Sequence, residues 1–245
     1  MSERTAIRPV GVVVALASEA KVLTPQNAQP DRITQLADGS SLCLSGMGPA
    51  AARRAAYALA DAGATALAVF GVAGALDTRL RSGSLCCPER ILDEHGHAYA
   101  VDSAWHARLQ QQLALTRRPL HANGSLLSVQ TPLLTTADKA TAHARFAAFA
   151  VDMESAAVAE AAHERKLPFV VLRAIVDEAG DTIPAALNNS VDAWGRPRAL
   201  RLFAAFCRHP SVLTELPRLY SRMQHATQAL RAAAEAAGPA LAWPS

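Results

Sequence analysis

Short, continuous runs of apolar residues alternate along this chain with longer segments in which apolar residues recur at helical spacing. Three of the runs, Val10–Leu16, Ala66–Phe70 and Phe169–Val176 (apolar except for Arg173), lack the apolar–polar alternation of a strand with one face in water. Strands that are apolar on both sides are typical of a sheet buried between two layers. The pattern therefore predicts an α/β fold whose central sheet is covered on both faces.

Further strands and helices are predicted between these runs. Asp38-Gly39 separates two short apolar runs and is typical of a hairpin turn, whereas Gly71–Gly74 is expected to end the strand before it. The additional strand candidates are Ile33–Leu36, Ser41–Leu44, Leu85–Leu92, Gly124–Val129 and Ala150–Met153. The predicted helices are Ala50–Ala62, Ser103–Leu113, Thr136–Phe149 (with Thr136 as N-cap), Glu154–Lys166, Arg198–Cys207 and Ser211–Ala237, the last kinked or restarted at Pro217. No internal repeat or linker is visible, so residues 1–245 are predicted to form one domain.

Composition narrows the class of protein. Apolar residues make up 51% of the 245 residues, enough for a sizeable core, and the net charge of +3 is too small to indicate nucleic-acid binding. The cysteines lack C-x-x-C or metal-ligand spacing, so we expect reduced thiols in a cytoplasmic protein without a bound metal. The N-terminal apolar run is too short for a signal peptide or a membrane span.

A glycine turn after Ser41–Leu44 has the spacing of the dinucleotide-binding fingerprint, G-x-G-x-x-A, over Gly46–Ala51. An NAD or FAD site also requires an acidic residue at the end of the next strand, but Ala66–Phe70 is followed by glycine. A tight strand-to-helix turn explains the same glycines, and such a turn can bring backbone N–H groups close to another ligand. The segment alone leaves a dinucleotide-binding oxidoreductase, a structural turn and a different ligand site as alternatives.

Carboxylates follow two of the predicted strands. Asp152-Met153-Glu154 lies where a short strand turns into a helix, and Asp177 directly follows Phe169–Val176. Open α/β sheets bind ligands at the carboxyl ends of their strands, so we expect these side chains at one site. Structural alternatives exist: Glu154 could interact with a helix dipole, Asp177 could begin a turn, and Arg173 could be an ion-pair partner at the edge of the core.

Two of these segments, V-D-M-E-S-A-A at Val151–Ala157 and R-A-I-V-D at Arg173–Asp177, resemble the nucleoside phosphorylase and methylthioadenosine/S-adenosylhomocysteine nucleosidase superfamily. Ala15–Glu19, Ser45–Gly48 and Gly71–Asp77 agree with the same superfamily in order and spacing. The resemblance covers roughly residues 10–180. It implies a three-layer α/β/α sandwich around a mixed central sheet, and cleavage of the N-glycosidic bond of a purine nucleoside without an organic cofactor or a metal.

The resemblance also implies roles for individual residues. Asp177 would protonate N7 of the leaving purine, and Glu19 would position and activate the attacking water. Glu154 would bind the ribose hydroxyls with Met153 against the sugar, and Arg173 would orient this end of the site. The other binding residues implied are Met47, Gly48, Gly71 and Ala73. A small-molecule nucleoside is therefore the expected partner, bound by a homo-oligomer as is usual in the superfamily.

The nucleophile is inferred from departures from the superfamily's phosphorylases. Those enzymes bind phosphate through glycine and arginine in the loop after the first strand, but this loop contains Glu19, which would repel an anion. Within Gly71–Asp77, Val72 stands at the position where the superfamily has a serine. Water is therefore favoured, with phosphorolysis as the alternative. Because that serine helps to hold the nucleophile in relatives, a non-catalytic nucleoside- or lipid-binding protein is a third hypothesis.

Residues 195–245 are predicted to form a basic helical C-terminal extension. Its only acids are Glu215 and Glu235, against the arginines Arg196, Arg198, Arg201, Arg208, Arg218, Arg222 and Arg231. This pattern fits packed amphipathic helices with solvated basic faces, or a basic edge that contacts the inner membrane peripherally. The segment resembles the superfamily's hopanoid-associated subgroup, which implies a lipid-linked substrate, adenosylhopane, from which adenine is removed.

Overall fold

The structure is a computed structural model that describes residues 9–184, 192–196 and 212–244. Eleven described strands form one mixed sheet. The strands are β1 Val10–Val14, β2 Ile33–Gln35, β3 Ser41–Leu44, β4 Ala66–Ala75, β5 Leu85–Cys86, β6 Arg90–Leu92, β7 Ala98–Ala100, β8 Leu120–His121, β9 Ser125–Ser128, β10 Ala148–Asp152 and β11 Phe169–Asp177. The helices are α1 Ala17–Leu23, α2 Pro49–Asp61, α3 Ser103–Ala114, α4 Thr136–Phe146, α5 Ser155–Arg165 and α6 Val212–Ala237.

Strand β4 is the centre of the sheet. Its first half pairs in parallel with β1, its last two residues pair antiparallel with β10, and β11 runs parallel to it along the opposite edge. The carboxyl end of β4 therefore lies between the two strands that carry the predicted carboxylates. The hairpin of β2 and β3 forms as predicted, with β3 parallel to β1.

Helices cover both faces of the sheet, which confirms the predicted three-layer α/β/α architecture. Successive residues of β1 enter different cores: Val12 and Val14 pack in the cluster that contains residues of α1, α3 and α6, whereas Val13 packs in the cluster that contains residues of α2 and α5. This double burial is the physical reason for the continuous apolar runs. The assignment of residues 1–245 to one domain stays a prediction.

The prediction that Gly71–Gly74 ends the central strand is wrong, because β4 continues to Ala75 through these residues. Their backbones pair with β11 and β10. A Cβ added at Gly74 would lie 2.9 Å from Oδ2 of Asp177, and one added at Gly71 would overlap the Glu19 carboxyl group and the Arg173 guanidinium. The glycines therefore make room for charged side chains within a strand.

Other differences concern the ends of elements. The predicted strand Leu85–Leu92 divides into β5 and β6, separated by Pro88, which has no backbone N–H to donate to a ladder. Helix α4 begins after the N-cap Thr135, not Thr136. It ends at Phe146, not Phe149, because the C-cap Ala147 has a left-handed φ of 50°. Helix α6 continues through Pro217, and the predicted helix over 198–207 lies outside the described residues.

Candidate active site

One cavity of about 150 Å³ lies at the carboxyl ends of β1, β10 and β11. Six predicted site residues line it: Glu19, Met47, Ala73, Met153, Glu154 and Asp177. The other three, Gly48, Gly71 and Arg173, lie behind this lining and contact it. The structure thus brings together, around one cavity, all nine residues that the sequence indicated.

Arg173 is a buried cation beneath the cavity, with a side chain only 1% exposed. Its Nε and Nη2 atoms donate to Oδ2 of Asp152 at 2.9 and 2.6 Å, and Nη2 also donates to Oε2 of Glu154 at 3.1 Å. These buried carboxylates raise the pKa of Arg173, so the guanidinium stays charged. Arg173 therefore holds the carboxyl group of Glu154 in place beside the cavity.

Glu154 joins the glycine turn to the rest of the site. Its Oε1 atom accepts a hydrogen bond of 2.9 Å from the backbone N–H of Gly48, the N-cap of α2, whose φ of +95° favours glycine. A dinucleotide would place its pyrophosphate on this helix N-terminus, which a carboxylate already occupies. Burial raises the pKa of Glu154, although Arg173 opposes the shift.

Glu19 also lines the cavity and accepts three backbone hydrogen bonds. Oε2 accepts from the N–H groups of Ala15 and Leu16 at 3.0 and 2.8 Å, and Oε1 accepts from the N–H of Val72 at 2.8 Å. Burial raises the pKa of Glu19 to about 7, while Arg173 and these hydrogen bonds pull it down. A carboxyl group with this pKa can accept a proton near neutral pH.

Asp177 ends β11 and has a partner that the sequence did not indicate. The ammonium group of Lys139, on α4, donates to Oδ2 of Asp177 and to the carbonyl oxygens of Glu178 and Asp181. A lysine in an ordinary helical segment carries no signal of this contact. Asp152, which supports Arg173, was also not predicted as a site residue, although it belongs to the same quoted motif.

The loop after Asp177 is held by the C-terminal helix. Arg222 Nε lies 2.8 Å from Oδ2 of Asp181, its Nη1 contacts Glu178, and Arg218 also contacts Asp181. Arg222 is therefore packed against carboxylates of the loop with 19% of its side chain exposed, whereas Arg218 remains on the solvated face with 45% exposed. Among the described helices, none is long and apolar enough to cross a membrane.

The remainder of the cavity wall is apolar. It includes Leu16, Val129, Pro132, Leu133, Val176 and Ile183, and the described lining contains no lysine, arginine or histidine. Within residues 9–184, 192–196 and 212–244, no group of three or more His, Cys, Asp or Glu side chains could hold a metal ion. The chemistry of the described site therefore rests on carboxylates in an apolar surrounding.

A family model described as the phosphorylase superfamily matches residues 32–209. The chain belongs to the phosphorylase superfamily. The match includes the glycine turn, the strand β4 and both carboxylate motifs, and so confirms the resemblance noted in the sequence. A search of curated protein sequences finds no significant match.

Solved structures of other proteins share this superfamily fold. A 5′-methylthioadenosine/S-adenosylhomocysteine nucleosidase from Neisseria meningitidis, in complex with methylthio-immucillin-A, is 19% identical with a TM-score of 0.68, over 94% of this chain and 99% of that chain. The corresponding nucleosidase from Helicobacter pylori, with butyl-thio-DADMe-Immucillin-A, is 16% identical with a TM-score of 0.65, over 94% of this chain and 99% of that chain. Futalosine hydrolase of Helicobacter pylori is 16% identical with a TM-score of 0.65, over 94% of this chain and 98% of that chain. At these identities the likeness establishes the fold.

Proposed function

We propose that this phosphorylase-superfamily protein hydrolyses the N-glycosidic bond of a purine nucleoside and releases the free base, with adenine favoured. The observation that carries the proposal is the convergence of Glu19, Glu154 and Asp177 on one cavity from three distant segments. The names of the similar structures, which include nucleosidases and a hydrolase, support the same reaction class.

Each carboxyl group has a task in such a reaction. As the bond to the base breaks, positive charge develops on the sugar and negative charge on the purine. Glu154, held by Arg173 and Gly48, would bind the ribose hydroxyls and stabilise the cationic sugar. Asp177 would donate a proton to the purine, and Glu19 would take a proton from the attacking water.

The charges around the cavity support water as the nucleophile. A phosphorylase needs cationic or neutral donors for phosphate, but the described lining holds only carboxylates among its charged groups. Arg173 and Lys139 are already bound to carboxylates, and Val72 stands where the superfamily has a serine. Phosphate would therefore enter against the repulsion of Glu19 and Glu154.

The apolar wall supports a substrate with an apolar 5′ substituent. Met47 and Leu16 line the cavity, and Met47 lies next to Gly48, the residue bound to Glu154. An apolar 5′ group would displace water from this wall. Adenosylhopane, which carries a lipid at the 5′ position, is the bulkiest substrate that we propose. A lipid-linked substrate of this kind would bring the protein into peripheral contact with a membrane.

The test is an assay of base release. The protein is incubated with adenosine, 5′-methylthioadenosine and adenosylhopane, with and without phosphate, and the free base and sugar product are quantified by chromatography. We expect adenine and a free sugar without phosphate. Asp177→Asn should lower kcat/KM about 10²–10⁴-fold, the usual contribution of general acid catalysis. Asp61→Asn, an exposed aspartate on α2, is the control and should leave the rate unchanged.

Other outcomes of this assay would contradict the proposal. Strict dependence on phosphate with ribose 1-phosphate as the product would identify a phosphorylase. Adenine or nucleoside binding without release of the base, for every 5′ substituent, would identify a non-catalytic binding protein. Full activity of Asp177→Asn would remove Asp177 from the mechanism.

A further inference from the structure

Lys139 is the least expected charged group near the cavity. Its side chain is 1% exposed, although lysine is almost never fully buried unless it is paired. The helix that carries it, α4, packs next to β10. A buried ammonium costs free energy of solvation, so its position beside Asp177 calls for a function.

The hydrogen bonds of Lys139 leave its ammonium group fully occupied. A lysine ammonium has three N–H donors, and here they meet Oδ2 of Asp177, the Glu178 carbonyl at 2.8 Å and the Asp181 carbonyl at 3.0 Å. Lys139 therefore has no donor left for a substrate. Within the described residues, Oδ1 of Asp177 has no hydrogen-bond partner, and Asp177 lines the cavity.

The acceptors of Lys139 are themselves held in place. The N–H of Glu178 donates to Oδ2 of Asp181 at 2.8 Å, which closes the loop that presents both carbonyls. Arg222 contacts the carboxylates of Glu178 and Asp181 from α6. A chain of contacts thus runs from the C-terminal helix through this loop and Lys139 to one oxygen of Asp177.

We propose that Lys139 is a positioning residue that holds Asp177 through Oδ2, leaves Oδ1 for the purine, and stabilises the carboxylate that forms when Asp177 gives up its proton. The inference rests on the proposed function. In the step, the O–H electron pair stays on Oδ1, the proton goes to the purine, and the electron pair of the N-glycosidic bond goes to the base. The attacking water forms the new bond to the anomeric carbon and gives its proton to Glu19. Lys139 keeps all its protons, and solvent then carries one proton from Glu19 back to Asp177.

The charges that face Asp177 set the direction of the effect. Lys139 faces Asp177 from α4. Glu178 and Asp181 follow Asp177 in the loop, where Arg222 is paired with Glu178 and Arg218 with Asp181. Glu19 and Glu154 line the same cavity as Asp177. Removing Lys139 takes away the cation in direct contact with the carboxyl group. Protonation of Asp177 then becomes easier and donation of its proton harder.

The experiment measures Asp177 directly. The carboxyl carbon of Asp177 is followed by ¹³C NMR as a function of pH, and its signal is assigned with Asp177→Asn. In Lys139→Met we expect the midpoint of the Asp177 titration to rise by about one pH unit or more. Lys21→Met, which alters an exposed lysine on α1, is the control and should leave the midpoint unchanged.

Kinetics supply a second readout. In Lys139→Met, kcat should fall about 100-fold with little change in KM, because a carboxyl group displaced by about 1 Å costs on this order. The alkaline limb of the kcat/KM profile should move to higher pH. An unchanged midpoint together with an unchanged pH profile would overturn the proposal, even if the rate falls. A raised midpoint in a protein that releases no base from any nucleoside would leave the role of Lys139 intact and refute the proposed function instead.

A second variant tests the proposal in case the Lys139→Met protein does not fold. Arg222→Met removes a side chain that is 19% exposed and leaves Lys139 and Asp177 in the chain. Loosening the loop should move the Asp177 midpoint and the alkaline limb in the same direction by a smaller amount. Arg231→Met, at an exposed arginine of the same helix, should change neither. An unmoved midpoint in Arg222→Met would then count against the proposal.

Discussion

The Nη2 atom of Arg173 donates a hydrogen bond of 3.1 Å to Oε2 of Glu154, while the same guanidinium binds Asp152 at 2.6 Å. One cation thus serves two buried carboxylates. This arrangement affects the stability of the fold, and it fixes the position of Glu154, the group proposed to bind ribose.

Arg173→Met should destabilise the protein strongly. It would leave the carboxyl groups of Asp152 and Glu154 buried without a cation, and breaking a buried ion pair on one side costs about 3–5 kcal/mol. Urea unfolding at pH 8 measures the loss. The control is Arg165→Met, which breaks an exposed pair with Asp61 and should cost less than about 1 kcal/mol. Equal losses for the two variants would contradict the argument.

Glu19 should control the acidic limb of the activity profile. Its pKa is raised to about 7, and only the ionised form can take a proton from water. We expect kcat/KM for base release to fall below pH 7, about tenfold per pH unit once Glu19 is protonated. Glu19→Gln should be slower by about 10²-fold or more. If a limb near pH 7 persists in that variant, it belongs to another group.

The same pKa predicts a pH-dependent stability. Burial raises the pKa of Glu19 from 4.5 to about 7, so the folded protein binds a proton more tightly than the unfolded chain. The stabilisation is complete below pH 4.5 and is lost as the pH rises through 7. The unfolding free energy of the wild type, relative to Glu19→Gln, should fall by about 2–3 kcal/mol between pH 5 and pH 8. A constant difference across this range would show that the carboxyl group is not perturbed.

Gly71→Ala should disrupt the site without straining the backbone. The added Cβ would overlap the Glu19 carboxyl group and the Arg173 guanidinium, both of which are fixed by buried hydrogen bonds. We expect base release to fall at least tenfold. Gly180→Ala is the matched control, because nothing lies within 4 Å of its added Cβ. Similar kinetics for the two variants would mean that the Glu19 side chain can move aside without loss.

Much of the fold follows from local pattern. Runs such as Phe169–Val176 are apolar on both sides because their side chains enter two different cores, and burial of that kind is visible in one segment of sequence. The placement of Glu154 and Asp177 at strand ends was equally accessible, because each follows a short apolar run. Their meeting at one cavity does not follow from strand direction, since β10 pairs antiparallel and β11 parallel with β4.

Other features depend on residues that are distant in sequence. The glycines of Gly71–Gly74 look like a strand end, yet they continue β4, because the side chains that need the space come from α1 and β11. Arg222 looks like part of a solvated face, yet it packs against Glu178 and Asp181 in a loop that precedes its helix by many residues. The local sequence around a residue does not indicate which distant residue it will contact in the folded chain.

The sequence by itself determined the buried strands, the glycine turn after Ser41–Leu44 and the carboxylates at the strand ends, because burial and backbone conformation are local demands on residue type. Only the tertiary structure decided which charges meet: Arg173 with Asp152 and Glu154, and Lys139 with Asp177. Each of these ion pairs joins segments brought together by strand order and helix packing. The identity of a charged residue's partner is therefore a property of the folded chain.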